Sequence, residues 1–208
     1  MLKIWGRASS SNVMKTLFLC EELGLSYQRI DAGGAFGVTQ EARYLAMNPN
    51  ALVPTIEEED GWSLWESNSI LRYLCNSRAP THPIYPAAPR ARADVERWMD
   101  WQLAALTPPM TTVFFTYVRI PEPERDYAAC AKARDAAERL WRMVDAQLGD
   151  HPWVCGEALT LADIALSPFL HRWFALPIER AELPRLTAWR ERLLTRPGFK
   201  THVAVPMT

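Results

Sequence analysis

The sequence lacks an excess of charge of either sign and lacks any long apolar run. Its 23 Lys and Arg residues balance 24 Asp and Glu residues, so the net charge is −1 and no basic cluster offers a surface for nucleic acid. No run of about 18 apolar residues occurs, and we therefore expect no membrane-spanning helix. Residues 1–7 also lack the apolar stretch of a signal peptide, which makes the cytoplasm the expected compartment.

The spacings that metal and redox sites require are missing as well. The four cysteines form no CxxC pair, and the four histidines form no HExxH motif. We therefore expect no protein-bound metal and no dithiol redox pair. The cysteines are interpreted as small buried apolar residues rather than reactive thiols. The GxSxG motif of serine hydrolases is also absent.

The sequence does contain enough apolar residues for a sizeable core. Hydrophobic residues make up 49% of the 208, and nine residues are Trp, which excludes a disordered chain. This length suits one large domain or two small ones. Four prolines fall within residues 79–89, a density that no helix or central strand accommodates. We interpret that segment as a linker between a domain of residues 1–78 and a domain of residues 90–208.

Residues 1–78 alternate strand and helix signals in the order β-α-β-α-β-β-α. A first helix is predicted from Asn12, because apolar residues recur every three or four positions as far as Leu23. Two short strands flank the acidic turn 57–61 and predict an antiparallel hairpin. The order combines a parallel β-α-β unit with a terminal hairpin, which indicates a small α/β domain.

Residues 90–208 carry only helix signals and predict an all-helical domain. The clearest apolar stripe runs from Cys130 to Leu148 in steps of three and four residues. Pro108 and Pro109 interrupt the pattern before it, and we expect that helix to kink or break there.

Two further helix boundaries are predicted in the same domain. Thr160 and Asp163 have the spacing of a capping box, so we assign Asp163 to structure rather than catalysis. Pro184 suits the first turn of a last helix, which Pro197 and Gly198 are expected to end.

One group of candidate binding residues precedes the first predicted helix. Ser9, Ser10 and Ser11 would lie where free N–H groups and the helix dipole favour an anion, and a hydroxyl there could donate a further hydrogen bond. Taken alone, the tripeptide is more simply explained as a helix cap.

Two other pairs of residues are candidates for ligand binding. A cis Val53–Pro54 bond at the start of a strand would turn the backbone of Val53 towards a ligand. Glu66 suits an ammonium group, and Ser67 at a helix start suits a carboxylate, so together they would recognise an α-amino acid. Each pattern alone also fits ordinary local structure.

In combination, these features resemble the cytosolic glutathione transferase family over nearly the whole chain. Each matching segment is short, but their order and spacing are specific. The resemblance is to bacterial, serine-type members similar to the phi, theta and zeta classes. It implies a thioredoxin-like α/β N-terminal domain, an all-helical C-terminal domain and a homodimer. The segments that carry it are 10–15, 22–27, 48–56, 65–70, 159–165 and 196–199.

The resemblance implies that glutathione is a cosubstrate and that a serine activates its thiol. Ser10 matches that serine, with Ser11 as the alternative if the register is shifted by one. Val53 matches the residue before the family's cis-proline, here Pro54, and its backbone would pair with the cysteinyl unit. A serine at the active position argues against the branch that transfers thiols through a mixed disulfide.

The resemblance also implies how the two ends of glutathione are held. Glu66 and Ser67 match the pair that holds the γ-glutamyl head group. Asp100 would reach the head-group amine from the partner subunit, although a solvated helix face explains it equally well. The chain departs from the family's pattern at the glycyl carboxylate. Leu52 stands where Gln or Lys is common, and no basic pair lies near Gln40, which could still hydrogen-bond the carboxylate.

The implied reaction is the attack of a serine-stabilised glutathione thiolate on small hydrophobic electrophiles. It requires no metal and no permanently bound cofactor. Two alternatives stay open: a glutathione-dependent isomerase or dehalogenase, and a glutathione- or ligand-binding protein without useful turnover. The electrophile pocket is expected in the helical domain, from residues that a core would use equally well: Ala105, Pro109, Phe114, Phe115, Tyr117 and Arg172.

Overall fold

A computed structural model describes residues 1–207 and contains one four-stranded mixed sheet. Strand β1 pairs parallel with β2 and antiparallel with β3, and β3 forms an antiparallel hairpin with β4, giving the order β2-β1-β3-β4. The predicted parallel unit and terminal hairpin are therefore confirmed. The strands are β1 (Leu2–Trp5), β2 (Tyr27–Ile30), β3 (Thr55–Glu57) and β4 (Ser63–Trp65).

The remaining elements are helices, and every named element between residues 79 and 207 is helical. The helices are α1 (Ser11–Glu22), α2 (Ala42–Met47), α3 (Ser67–Arg78), α4 (Pro89–Trp101), α5 (Thr107–Val118), α6 (Tyr127–Leu148), α7 (Leu161–Ala175), α8 (Pro184–Leu193) and α9 (Pro197–His202). This confirms the fold class, a thioredoxin-like α/β half followed by an all-helical half. Within residues 1–207, no helix is long and apolar enough to cross a membrane.

Two sequence expectations concern a proline-rich segment and a helix boundary at a proline. Turns and bends make up residues 79–88, but the domain boundaries set around them stay a prediction. Pro197 was expected to end the last helix, and this was wrong. Pro197 begins α9, because a proline at the first helical position loses no hydrogen bond.

The helix that contains Pro108 and Pro109 does not break. Residues 102–106 form a π-helical turn between α4 and α5, and the flanking residues keep helical dihedral angles. A proline ring crowds the carbonyl four residues before it, and the wider π turn makes room for the pair. The same turn directs Gln102, which is fully buried, into the centre of the molecule.

Helix α1 joins the two halves of the chain. Residues 13–20 are all buried, because α1 packs against α3 of its own half and against α7 and α9 of the helical half. Gly198 permits the approach of α9, since a Cβ there would lie 2.8 Å from Cδ2 of Phe18. Gly6 likewise lets the β1–α1 loop approach α1, since its Cβ would lie 2.5 Å from Cγ2 of Val13. The β1–α1 loop therefore packs closely against the start of α1, and α9 packs closely against its second half.

Asp163 ties three segments of the helical half together, as the capping-box interpretation predicts. Its carboxylate accepts hydrogen bonds from the N–H (2.8 Å) and hydroxyl (3.0 Å) of Thr160, from the N–H of Val154 (3.0 Å) and from Nε1 of Trp189 (3.0 Å). The side chain is fully buried, and burial raises the pKa of its carboxyl to about 6 although all four donors oppose that rise. Asp163 is a structural residue.

The cysteines are free thiols, as expected. Cys20, Cys75 and Cys130 are buried and Cys155 is half-buried. Burial raises the pKa of the Cys20, Cys75 and Cys155 thiols to about 12, so these three are not ionised near neutral pH.

We expect Asp163→Ala to lower the free energy of unfolding by about 3–5 kcal/mol, because buried donors of Val154, Thr160 and Trp189 lose their acceptor. Asp163→Asn should be nearly as harmful, since its NH₂ group would face donors. Urea unfolding at neutral pH measures both. The exposed carboxylate of Asp150 provides a control, and Asp150→Ala should change stability by less than about 0.5 kcal/mol. Equal stabilities for the Asp163 and Asp150 variants would contradict this role.

Candidate functional site

A cleft of about 460 Å³ lies between the two halves of the molecule. Its first wall comes from the α/β half and consists of Arg7, Ser10, Ser11, Asn12, Gly33, Gly34, Thr39, Ala51, Leu52 and Val53. Its second wall comes from the helical half and consists of Thr107, Thr111, Phe114, Phe115, Phe169, Arg119 and Arg172.

A recess of about 50 Å³ adjoins the cleft and shares Asn12, Leu52 and Val53 with it. The other residues that line the recess are Asn48, Asn50, Pro54, Trp65, Glu66 and Ser67. The cleft and recess thus bring together the serines of the β1–α1 loop, the Val53–Pro54 pair and the Glu66–Ser67 pair. A larger depression of about 550 Å³ beside Glu58 and Arg78 contains none of the predicted site residues.

Several predicted residues of the electrophile pocket lie outside the cleft lining. Ala105, Pro109 and Tyr117 are absent from it, while Phe114, Phe115 and Arg172 are present. The lining of α5 follows positions 107, 111, 115 and 119 instead, because residues four apart share one helix face. Pro109 belongs to a different face of α5, and Ala105 lies in the π turn at 102–106, which shifts the helical period before α5 begins.

Asp100 and Gln40 also lie outside the lining. Asp100 is on α4 with its side chain 68% exposed, and Nη2 of Arg72 on α3 donates to it at 2.5 Å. Within the chain it is therefore a residue of a solvated helix face, and its reach towards a partner subunit stays a prediction. Gln40 is exposed beside the cleft, where its neighbour Thr39 forms the wall.

Ser10 occupies the N-cap position of α1 without capping the helix through its side chain. Its backbone is extended, its carbonyl accepts the N–H of Met14 at 2.8 Å, and its hydroxyl takes no capping hydrogen bond. Ser10 thus occupies the capping position that the simpler interpretation predicts, but its side chain does not cap the helix. The hydroxyl lies beside the N-terminus of α1, where the helix dipole favours an anion. Ser11 is the first residue of α1 and lines the cleft as well.

Buried side chains hold the turn before β3 in place through hydrogen bonds to its backbone. The Val53–Pro54 peptide bond is cis. The carbonyl of Leu52 accepts hydrogen bonds from the Tyr44 hydroxyl at 2.6 Å and from Nδ2 of Asn48 at 2.9 Å. These buried partners hold the backbone of Leu52 and Val53 at the junction of cleft and recess.

Glu66 and Ser67 place the start of α3 at the recess. Glu66 has φ 72° and ψ 107°, a backbone conformation that is strained for a residue with a side chain and that occurs preferentially at functional sites. The buried Ser67 hydroxyl donates to Oδ1 of Asn12 at 3.3 Å. The N-termini of α1 and α3 therefore meet at the recess, and both favour an anion there.

Lys15, to which the sequence analysis assigned no role, contacts the recess residue Ser67 but lines neither the recess nor the cleft. It is fully buried in α1, and its Nζ donates to Oε1 of Gln102 (2.7 Å), Oδ1 of Asn68 (3.3 Å) and Oγ of Ser67 (3.4 Å). Burial lowers the pKa of its ammonium group to about 7, against the opposing attraction of Glu66. The sequence signal that could have indicated it is a lysine among the mostly apolar residues 13–20 of the predicted first helix.

The acceptors of Lys15 connect it to both halves of the chain. Gln102 belongs to the π turn and donates from Nε2 to Oγ1 of Thr107 at 2.7 Å, and Thr107 lines the cleft. Asn68 belongs to α3 and donates from Nδ2 to the carbonyl of Met99 on α4 at 2.8 Å. The network thereby links the recess residue Ser67 to the helical wall of the cleft.

Lys15 gives the protein a characteristic pH dependence of stability. Between pH about 7 and 10.5 the unfolded chain keeps the Lys15 proton and the folded chain does not, so stability rises with pH over that window. Lys15→Met should remove about 2 kcal/mol of the rise between pH 7 and pH 9, measured by urea unfolding. The exposed Lys132 of α6 provides a control, and Lys132→Met should follow the wild-type curve. A Lys15→Met curve parallel to the wild type would show that Lys15 stays protonated.

Known proteins match the chain over both halves. Residues 9–77 match the family model "Glutathione S-transferase, N-terminal domain", and residues 106–197 match "Glutathione S-transferase, C-terminal domain". Glutathione S-transferase GstB of Escherichia coli is 36% identical, with 100% of both chains covered. Disulfide-bond oxidoreductase YfcG of the same species is 31% identical and covers 88% of this chain and 85% of its own.

A solved structure is similar throughout. The theta class glutathione S-transferase from the citrus canker pathogen Xanthomonas axonopodis pv. citri, crystallised with glutathione bound, is 43% identical to this chain. Its TM-score is 0.94, and the match covers 100% of this chain and 99% of that one. The similarity therefore includes both walls of the cleft.

Proposed function

The chain belongs to the glutathione S-transferase family, and from this premise we propose that its cleft binds glutathione and that Ser10 stabilises the thiolate of the bound molecule. As a member of that family the chain is a glutathione transferase. The observation that carries the role of Ser10 is its hydroxyl, which takes no capping hydrogen bond and lines the cleft at the N-terminus of α1.

The recess is suited to the γ-glutamyl head group. Glu66 would pair with the ammonium group, and Ser67 with the α3 N-terminus would hold the carboxylate. The backbone of Val53 would meet the cysteinyl unit at the junction with the main cleft, which directs the thiol towards Ser10. The glycyl end would then extend past Leu52 towards Thr39.

The energy available at Ser10 matches what thiol activation needs. A free thiol with a pKa of about 8.5 is only a few per cent ionised at pH 7, and lowering that pKa by about 2 units takes about 2.7 kcal/mol. A charge-assisted hydrogen bond supplies about 1.5–3 kcal/mol and a helix N-terminus about 0.3–1 kcal/mol. The thiolate sulfur then bonds to the electrophilic carbon, and the leaving group departs with its electron pair.

We expect Ser10→Ala to raise the pKa of the bound thiol by about 1–2 units, because it removes the hydrogen bond to the thiolate. Glutathione affinity should change little, and the pH–rate profile for conjugation of an aromatic halide should shift to higher pH. Titration of the thiolate absorbance of bound glutathione measures the shift directly.

Two matched serine variants control this experiment. Ser67→Ala should weaken glutathione binding and leave the thiol pKa unchanged, since Ser67 would touch only the head group. Ser11→Ala should be silent. An alkaline shift in Ser11→Ala instead of Ser10→Ala would move the role by one residue. No shift in either variant would overturn the hydroxyl mechanism and leave the helix dipole or Arg7 as the stabilising group.

We also propose that the protein is a homodimer in the cytoplasm. Exposed apolar side chains border the recess, with Leu52 66% and Trp65 37% exposed, and such patches mark protein interfaces. The α/β half of one subunit would pack there against the helical half of the other. The four free thiols fit a reducing compartment.

Sedimentation at micromolar concentration should give a mass of about 47 kDa, twice the 23.7 kDa of the chain. Trp65→Arg should shift the equilibrium towards the monomer, because it places a charge in the proposed interface. Met143→Arg changes an equally accessible apolar residue on α6, 50% exposed, and should leave the mass unchanged. A wild-type mass of one chain would contradict the dimer.

A further inference from the structure

The cleft carries positive charge that the head-group recess does not explain. Arg7, Arg119 and Arg172 all line it, whereas its lining among residues 1–207 includes no Asp or Glu. The three come from the β1–α1 loop, the end of α5 and α7. Burial lowers the pKa of Arg7 and of Arg172, and electrostatic repulsion from Arg119 lowers both further. The three guanidinium groups are therefore close enough to repel one another. None of them lines the recess.

Arg172 is held rigidly in this arrangement. It is 9% exposed, its guanidinium carbon lies 3.8 Å from the centre of the Phe114 ring, and its Nη2 donates to the carbonyl of Ser9 at 3.4 Å. None of the ion pairs found within residues 1–207 involves Arg172. A guanidinium has five N–H donors, and burying it without an anion is costly. An anion in the cleft would offset that cost.

Arg7 is fixed on the opposite wall. Its side chain lies over Gly33 and Gly34, where added Cβ atoms would lie 3.2 Å from its Nη1 and 3.3 Å from its Cδ. Both glycines have positive φ angles, of 78° and 61°. Side chains at these positions would displace Arg7, so the glycines provide the flat surface that lets its guanidinium group line the cleft.

We propose that the electrophile which this cleft accepts is an anion, typically an aromatic carboxylate, whose charged group is bound by Arg7 and Arg172. The inference rests on the proposed function, since it names the substrate class for the same thiolate. Phe114, Phe115 and Phe169 supply apolar walls for the ring.

The glycyl carboxylate of glutathione has the same chemistry and is the competing source of the anion. The position of Arg172 favours the electrophile, because α7 reaches the cleft from the helical half while the recess is lined only by the α/β half. The reaction balances without a further reactant. With a chloroarene, the thiolate sulfur bonds to the ring carbon, chloride leaves with the bonding electron pair, and the thiol proton has already passed to solvent.

The test compares 4-chloro-3,5-dinitrobenzoate with its neutral amide, 4-chloro-3,5-dinitrobenzamide, each normalised to its uncatalysed rate with glutathione. For the wild type we expect kcat/KM to be at least about tenfold higher with the benzoate, the effect of one charge-assisted hydrogen bond. Arg172→Met keeps the bulk beside Phe114 and removes the charge. It should lower kcat/KM for the benzoate about 10–100-fold and leave the amide within about threefold.

Companion variants keep the test decisive. Arg172→Lys should restore part of the preference for the benzoate over the amide. Arg7→Gln should lower that preference without disturbing the buried core. Arg7→Gln therefore tests the proposal even if Arg172→Met fails to fold. Arg139→Gln removes the same charge from an exposed position on α6 and should leave both rates unchanged.

Each other outcome has a distinct meaning. Equal kcat/KM values for benzoate and amide in the wild type would overturn the proposal. A rise in the KM for glutathione in Arg172→Met and Arg7→Gln, equal with both electrophiles, would assign the arginines to the glycyl carboxylate and also overturn it. Failure of the wild type to conjugate either reagent, although it binds glutathione, would count against the proposed function instead.

Discussion

The geometry of the cleft depends on one buried amino group. Lys15 lies in α1, no carboxylate within residues 1–207 forms an ion pair with it, and its Nζ is tolerated there because polar oxygens replace its water. Those oxygens belong to Ser67 and Asn68 at the start of α3 and to Gln102 in the π turn. Any displacement of α3 or of the α4–α5 helix would break hydrogen bonds of this buried amino group. These hydrogen bonds therefore fix the position of the helical half relative to the α/β half where the recess meets the cleft.

The cleft that results has two chemically different ends. At the recess, the acidic Glu66 and the N-termini of α1 and α3 form a site suited to a zwitterion. At the far side, Arg7 and Arg172 face an apolar wall and suit an anion. Ser10 lines the cleft itself. A thiolate placed at Ser10 would benefit from the helix dipole and from the hydroxyl.

Local sequence predicted the positions of Ser10, Val53 and Ser67 beside element boundaries, because nearby residues determine those boundaries, and their roles stay predictions. It failed where tertiary packing decides. Ala105 and Pro109 were expected in the electrophile pocket and lie outside the cleft lining, since no local sequence pattern indicates the π turn that accommodates the prolines. Lys15 reads as one polar residue in an apolar helix until the fold brings Gln102, 87 positions away, against it. The convergence of Arg7 and Arg172 likewise exists only after α7 packs on α1.

The most direct test of the account is the number of protons released when glutathione binds. Calorimetry at pH 7 in buffers of different ionisation enthalpy measures that number, and S-methylglutathione, which has no thiol, corrects for protons exchanged by Lys15 and other groups. If the cleft holds the thiolate with its pKa lowered by about 2 units, glutathione should release about 0.7 proton per chain more than the S-methyl compound. Equal proton release by the two ligands would mean that the thiol binds protonated, and it would contradict the account.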